Sequence, residues 1–285
     1  MGIPMRLPDF IGIGAPRCGT TWLSHLLNQH GEIYFDPNFI ELHFFDNNYQ
    51  RGLKWYSRFF KGIPNGIVCG DFTPGYMHQS NIIEKIKQMD PDVKLIMSIR
   101  DPAERAYSHY MQRKRFKNWT NDFDATVRNN ADHILDYGEY GQQIDEIYKL
   151  FSPDQVHIVI FEELIAAPQK VLRELFKFLA VGDLDVDLST APRNQMTSVR
   201  FLWLKRLTRG IRSMSRKYYG VRKVWFGLLP GAGIIRFLRA MNVKGVESKA
   251  ENMLPETKDF LTNYYADDRI LLERLLNKTL SSWSK

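Results

Sequence analysis

The chain has 285 residues, of which 44% are hydrophobic and 13% aromatic, so it can bury a sizeable core and is not a disordered protein. Its formal net charge of +7 suits an anionic partner, but none of the common nucleic-acid-binding motifs occurs. No apolar run reaches the roughly 18 residues of a transmembrane helix. With two cysteines, Cys18 and Cys69, and no apolar leader, we expect a cytoplasmic protein, or one peripheral to the membrane.

Strand and helix patterns alternate through the first two thirds of the chain. Apolar runs predict buried strands at residues 10–14, around 67–70, at 93–99 and at 156–161. Helical patterns lie between and after them, at residues 20–28, 81–89, 103–115, 142–151 and 169–179. This order predicts an α/β fold in which helices cover a central parallel sheet. Ligands bind such sheets at the carboxyl ends of the strands.

The last third of the chain changes character. Residues 200–239 are basic and aromatic, and they predict mostly helix with a break at Pro230-Gly231. Two amphipathic helices are predicted at residues 255–265 and 267–276. Because no linker is evident, we expect a single domain over residues 1–285, with a helical, basic subregion at about 198–285. The basic segment 200–249 is either a lid, an acceptor wall or a membrane-contacting face, or simply a solvated pair of basic helices.

The loop after the first predicted strand has the layout of a phosphate-binding site. Gly14 and Gly19 have the spacing of the nucleotide P-loop, G-x-x-x-x-G-K-[ST], and the next helix opens with Thr20 and Thr21. Backbone N–H groups and the helix dipole favour an anion there. The Walker lysine position holds Thr20, and the cation of the loop is Arg17, so the loop suits a different anion from the ATP phosphates of a kinase. A plain turn with capping threonines would give the same pattern.

A second candidate anion site follows the strand predicted at residues 93–99. Arg100 ends this strand, Pro102 suits a first helical turn, and Ser108 lies two turns further along. An arginine there can clamp a phosphate with two hydrogen bonds, and a serine hydroxyl can add one. The simpler alternative is an ion pair between Arg100 and Asp101 that closes a turn, with Ser108 on a solvated helix face.

Residues 41–46 contain a candidate general base. Glu41 and His43 project to the same side of an extended chain, and the bulky Phe44 and Phe45 follow. A carboxylate beside an imidazole in apolar surroundings can have its pKa moved towards neutrality, as a general base requires. A half-buried strand with solvated polar side chains explains the same alternation.

Together these segments resemble the sulfotransferases that use 3′-phosphoadenosine 5′-phosphosulfate (PAPS), and the resemblance covers nearly the whole chain. Residues 14–23 are similar to the 5′-phosphosulfate loop of that family, and residues 99–102 with Ser108 to its 3′-phosphate site. Residues 41–46 resemble the segment that carries the catalytic glutamate in the heparan sulfate sulfotransferase branch. Further similarities lie at residues 70–76, 138–144, 161–164 and 280–283. The resemblance implies a P-loop-like, three-layer fold.

The resemblance also implies in-line transfer of a sulfuryl group from PAPS to a hydroxyl or amine of a carbohydrate, lipid or small-molecule acceptor. Glu41 would take the proton of the acceptor, while His43 would orient it or itself be the base, and Arg17 would neutralise the bridging oxygen. The cofactor-binding residues implied are Arg17, Cys18, Gly19, Thr20, Thr21, Trp22, Arg100, Ser108 and Lys249, with Lys244 as an alternative to the last. No metal is implied, because protein cations stabilise the leaving group.

Two positions depart from the family pattern. Arg17 stands where the family usually has lysine. Phe72 stands where the glycan-modifying branch often has lysine, which argues against a polysaccharide acceptor and favours a more apolar one. Two other functions stay open. A P-loop kinase shares the strand–loop–helix layout, although Thr20 replaces its lysine and no acidic strand end for Mg²⁺ is evident. A non-enzymatic protein could bind a membrane surface or an acidic partner through the basic segment after Arg200.

Overall fold

The computed structural model describes residues 5–36, 39–117, 121–190, 197–199, 243–245 and 253–284. Its main sheet has five parallel strands in the order β2-β3-β1-β4-β5. The strands are β1 (Phe10–Gly14), β2 (Ile33–Tyr34), β3 (Val68–Phe72), β4 (Lys94–Ile99) and β5 (Val156–Ile160). The four predicted strands are therefore confirmed. The two-residue edge strand β2 is too short to give a sequence pattern.

The central strand β1 pairs with both β3 and β4. Phe10 lies opposite Gly70 on one side and Lys94 on the other, so the carboxyl ends of the three strands share one edge of the sheet. All five residues of β1 are buried because both faces of the strand are covered. This explains why the strand appears in the sequence as a continuous run without charged residues. This edge carries the loops that the sequence singled out.

Eleven helices are described around and after this sheet. They are α1 (Thr20–Leu27), α2 (Phe44–Asn47), α3 (Leu53–Tyr56), α4 (Ser80–Met89), α5 (Pro102–Lys117), α6 (Phe123–Arg128), α7 (Tyr140–Tyr148), α8 (Phe161–Ala166), α9 (Pro168–Leu179), α10 (Pro255–Tyr264) and α11 (Ala266–Leu276). The seven predicted helices are present, and α2, α3, α6 and α8 are additional. Helices α1 and α9 share one core with Phe10 and Ile96. Ile11 and Leu95, which alternate with them, are fully buried as well, so both faces of the sheet are covered.

Helix α7 begins two residues before the predicted start. The carboxylate of Asp268 accepts the N–H groups of Gly141 and Gln142, both at 2.9 Å, and therefore caps this helix from the distant helix α11. A cap that comes from more than a hundred residues away leaves no local pattern. The sequence therefore placed the helix start too late.

The chain divides into two compact units, Met1–Pro192 with Met253–Lys285, and Arg193–Asn252. Within the second unit the structure describes one antiparallel pair of short strands, β6 (Thr197–Val199) and β7 (Val243–Gly245). The helix predicted at residues 200–239 lies outside the described residues, and the single domain over residues 1–285 stays a prediction. No helix in the described part of the chain combines the length and apolar composition that crossing a bilayer requires.

Candidate active site

The loop between β1 and α1, residues 14–21, is fastened to the end of β4. The N–H of Ala15 donates to the carbonyl of Ser98 at 2.7 Å, and the hydroxyl of Ser98 donates to the carbonyl of Cys18 at 2.6 Å. Gly19 caps α1 at a φ of 76° and provides no side chain to bond the first N–H groups of that helix. A β-carbon at Gly19 would lie 2.3 Å from the ring of Phe161. The loop thus presents a helix N-terminus, without a side-chain cap, at the carboxyl edge of the sheet.

Arg17 and Ser108 meet beside this loop. The Nε and Nη2 atoms of Arg17 donate to the Oγ of Ser108 at 3.2 and 3.0 Å. Arg17 has a φ of 74°, an uncommon conformation for a residue other than glycine, and it aims its side chain towards α5. Residues predicted for opposite ends of one nucleotide therefore lie together, although 91 positions separate them in the sequence.

Arg100 lies at the end of β4, where it contacts Phe161. Its guanidinium carbon is 5.3 Å from the centroid of the Phe161 ring, and it pairs with Glu104 at 3.0 Å. The simpler alternative, an ion pair with Asp101, is not formed in this structure. Asp101 instead accepts the N–H of Glu104 at 3.0 Å and caps the start of α5. Phe161 also lies against Gly19. Arg100 and the β1–α1 loop therefore share one aromatic neighbour.

His43 lies between two carboxylates. Its Nδ1 is 2.8 Å from Asp46 Oδ2, and its Nε2 is 3.5 Å from Glu41 Oε2. The hydrogen bond to Asp46, followed by that to Glu41, raises the pKa of His43 from 6.5 to about 9. The Glu41 side chain is 51% exposed and therefore open to an approaching acceptor. At neutral pH the cluster holds an imidazolium between two carboxylates.

The expectation that residues 41–46 are extended is wrong. The chain turns at His43, which has a φ of 52°, and enters the short helix α2. The cause is Asp71 at the end of β3, which accepts the N–H of Leu42 at 3.3 Å and the hydroxyl of Thr73 at 2.8 Å. Thr73 in turn accepts the N–H of His43 at 3.4 Å. The Glu41 and His43 side chains still meet, but around a turn.

Asp71 was not among the predicted site residues. It is fully buried, and Tyr56 adds a third hydrogen bond through its hydroxyl at 2.8 Å. Burial raises the pKa of Asp71 from 3.8 to about 6, against the opposing effect of these donors. A lone aspartate after a predicted strand was the only signal in the sequence, and its partners come from three separate segments.

The segment from Thr73 to Met77 connects the cluster of Glu41, His43 and Asp46 to the end of β1, where the β1–α1 loop begins. The N–H groups of Thr73 and Met77 donate to the carbonyls of Gly12 and Ile13 in β1, at 2.8 and 2.9 Å. Tyr76 accepts the N–H of Phe45 through its hydroxyl at 3.2 Å. Both candidate sites are therefore attached to one short stretch of backbone.

Phe72 contacts the core and not this cluster. It is 1% exposed, and a β-carbon at Gly12 of β1 would lie 2.4 Å from its ring. Phe72 therefore presents no surface to an acceptor at this cluster, and the more apolar acceptor stays a prediction.

A cavity of about 670 Å³ lies between α4 and α7, and none of the predicted site residues that the structure describes lines it. Its lining includes Met77, which packs against Gly14 of the β1–α1 loop, and His78 and Tyr137, whose rings are 4.3 Å apart. Its volume is within the range of cavities that hold small ligands. Glu139 and Glu146 add carboxylates to its lining.

The remaining predicted residues differ in exposure. Cys18 is buried, its Sγ lies 3.4 Å from the hydroxyl of Tyr140, and burial raises the pKa of its thiol to about 11. Thr20 is buried, Thr21 is exposed, and Trp22 packs against the core beneath α1. Lys249 lies outside the described residues, and Lys244 is in β7. Within the described residues, no group of His, Cys, Asp or Glu is arranged to hold a metal ion.

A parallel sheet with a glycine-bounded strand–helix loop at its carboxyl edge and an acid–imidazole cluster alongside is the architecture expected of a P-loop-like fold. The sulfotransferase domain family model matches residues 7–223, and the chain belongs to that family. Membership confirms the predicted family and fold, and it supports neither the kinase nor the non-enzymatic alternative.

Among curated proteins, the chain is 27% identical to bifunctional heparan sulfate N-deacetylase/N-sulfotransferase 4 of Mus musculus, over 98% of this chain and 31% of that protein. It is 30% identical to heparan sulfate glucosamine 3-O-sulfotransferase 3B1 of Mus musculus, over 64% of this chain and 48% of that protein. The chain therefore spans less than half the length of these relatives.

Among solved structures, a sulfotransferase from Alicyclobacillus acidocaldarius has a TM-score of 0.69 at 22% identity, covering 98% of this chain and 100% of that one. Mouse sulfotransferase SULT7A1, solved in complex with PAP, has a TM-score of 0.51 at 17% identity, covering 95% of this chain and 90% of that one. These likenesses show the fold.

Proposed function

We propose that this protein transfers a sulfuryl group from PAPS to a hydroxyl or amine of a carbohydrate or small-molecule acceptor, with Glu41 as the general base. The observation that carries the proposal is the shared attachment of both sites. Thr73 and Met77 bond to the end of β1, where the phosphate-binding loop begins, while Thr73 and Tyr76 hold the backbone around His43. Donor and base are thereby fixed relative to each other.

The residues at the donor end suit a doubly phosphorylated nucleotide. Arg17 and Arg100 supply cations, Ser108 supplies a hydroxyl, and Gly19 leaves room where a β-carbon would strike Phe161. When bound, PAPS supplies the sulfuryl group and its nucleotide, 3′,5′-ADP, is the leaving group. Arg17 would offset the charge that develops on the bridging oxygen, and Arg100 would hold the 3′-phosphate.

The raised pKa of His43 supports Glu41 as the base. With a pKa of about 9, His43 is an imidazolium at neutral pH and cannot accept a proton. Glu41, whose carboxylate is half exposed and 3.5 Å from that cation, is left to take the proton of the acceptor. His43 then holds the Glu41 side chain in place through their contact at 3.5 Å.

The cavity between α4 and α7 is the candidate acceptor site. Its lining residue Met77 packs against Gly14 of the β1–α1 loop, and His78 and Tyr137 offer the ring surface on which sugars and small molecules pack. The relatives named for heparan sulfate support a carbohydrate acceptor. A lipid acceptor, membrane contact through residues 200–249 and a cytoplasmic location stay predictions.

The test combines binding and turnover. Excess 3′,5′-ADP at 100 times its Kd should stabilise the protein by about 2.7 kcal/mol, and Mg-ATP should not. Labelled PAPS is then offered with a panel of sugars, glycosaminoglycan oligosaccharides, small alcohols and amines, and lipids, and the products are identified by mass spectrometry.

On the best acceptor, Glu41→Gln should lower turnover by about 10²-fold or more and leave the affinity for 3′,5′-ADP intact. Glu174→Gln, which changes an exposed carboxylate of α9, is the matched control and should keep full activity. Full activity of Glu41→Gln would eliminate Glu41 as the base.

A further inference from the structure

We propose that Trp283 is a positioning residue for the nucleotide, acting through Glu162 on the turn that carries Arg100. The inference rests on the proposed function. The indole N–H of Trp283 donates to Glu162 Oε2 at 2.9 Å, and Glu162 Oε1 accepts the N–H of Asp101 at 3.1 Å. Asp101 follows Arg100 directly, so the carboxylate of Glu162 links the C-terminal end of the described chain to the backbone beside the predicted 3′-phosphate residue.

The same indole packs against Tyr140, which contacts the β1–α1 loop. The ring centroids of Trp283 and Tyr140 are 6.0 Å apart, and the hydroxyl of Tyr140 is 3.4 Å from Cys18 Sγ. Trp283 is only 6% exposed, so these contacts are made in the interior. One side chain thus supports both predicted ends of the nucleotide site, by a hydrogen bond towards Arg100 and by ring packing towards Cys18.

The turn that carries Trp283, residues Ser281–Ser284, is anchored independently of its indole N–H. Leu280 is buried, its N–H donates to Glu273 at 2.8 Å, and its carbonyl accepts from Arg269 at 3.0 Å. Lys278 pairs with Glu163, next to Glu162. Loss of the indole N–H should therefore leave the turn in place and release only the carboxylate.

Each oxygen of Glu162 accepts a different hydrogen bond. Oε1 accepts the N–H of Asp101 and Oε2 accepts the indole N–H, so the carboxylate is fixed at both oxygens. Without the indole N–H, Glu162 can rotate away from Asp101 and leave that backbone N–H without its acceptor. The turn then loosens at Arg100, which predicts a loss confined to the 3′-phosphate.

Trp283→Phe isolates this effect, because it retains a ring against Tyr140 and removes the N–H. We expect the affinity of the full chain for 3′,5′-ADP, measured by calorimetry, to fall about tenfold or more, as for one charged hydrogen bond. The affinity for 5′-AMP, which lacks the 3′-phosphate, should change less than twofold. Trp55→Phe is the matched control, because Trp55 is also buried and its indole N–H has no hydrogen-bond partner among the described residues.

Glu162→Gln provides the second variant if Trp283→Phe does not fold. It should show the same selective loss, and the double variant should be no worse than either single one. Equal losses for both nucleotides, or an unchanged affinity for 3′,5′-ADP in folded variants, would overturn the inference. Failure of the unaltered protein to bind 3′,5′-ADP would instead overturn the proposed function on which it rests.

Discussion

Replacing Asp46 by asparagine should lower the pKa of His43 and shift the pH range of activity. In the structure this pKa rises from 6.5 to about 9, with the Asp46 hydrogen bond as the largest cause and Glu41 as the next. Asp46 is the nearer carboxylate, at 2.8 Å against 3.5 Å for Glu41, so its loss should remove at least half of the rise. We expect a fall of about one pKa unit or more, at roughly 1.4 kcal/mol per unit.

The sign of the effect follows from the protonated state. His43 is charged below about pH 9, so its stabilising pairs are complete below pH 6.5 and are lost as the pH rises through 9. In the unaltered protein kcat/KM should therefore decline above about pH 9, and in Asp46→Asn the decline should begin at a lower pH. NMR titration of the His43 ring gives the pKa directly, and a pH–rate profile gives its consequence.

Asp259→Asn, which changes an exposed carboxylate of α10, controls for the loss of a negative charge. It should leave both measurements unchanged. The reasoning is refuted if His43 titrates near 6.5 in the unaltered protein, or if Asp46→Asn leaves its pKa where it was.

Three further changes test the loop, the end of β4 and the buried acid. Gly19→Ala should weaken 3′,5′-ADP binding, measured by calorimetry, more than tenfold, because its β-carbon would lie 2.3 Å from Phe161 and the φ of residue 19 is 76°. Gly31→Ala is the control: its β-carbon would meet nothing within 4 Å, so this variant should bind 3′,5′-ADP normally. Arg100→Ala should weaken the binding of 3′,5′-ADP more than that of 5′-AMP. Equal losses of affinity for the two nucleotides would contradict the assignment of Arg100 to the 3′-phosphate. Asp71 has a pKa of about 6 when folded and 3.8 as its ordinary value, so between these values the native state binds more protons and stability falls as the pH rises. Asp71→Asn should therefore reduce the change in the free energy of unfolding between pH 4 and 8, measured with urea, by up to about 3 kcal/mol. An unchanged pH dependence of this free energy would contradict the raised pKa of Asp71.

The sheet and the phosphate-binding loop could be predicted because their signals are local. A strand buried on both faces is a continuous apolar run, and the loop from Gly14 to Gly19 has its own spacing. That the loops after β1 and β4 are neighbours follows from a general rule, because the carboxyl ends of parallel strands share an edge. These features need no knowledge of distant contacts. The direct contact of Arg17 with Ser108 was not predicted.

The surroundings of the candidate base could not be predicted in the same way. Glu41 and His43 were singled out, but the turn between them depends on backbone N–H groups that donate to Asp71 and Thr73, some thirty residues away. The early start of α7 likewise depends on Asp268. An alternating polar and apolar pattern cannot distinguish a strand from a turn that tertiary hydrogen bonds impose.

Phe161 has a consequence for the choice of nucleotide. Its ring is in contact range of both Gly19 and Arg100, so one rigid aromatic side chain lies between the two predicted anion-binding elements. We expect a ligand with phosphates at both ends of its ribose to engage both elements, and a singly phosphorylated ligand to engage only one. The ring of Phe161 would then fix the distance at which the two phosphates are held.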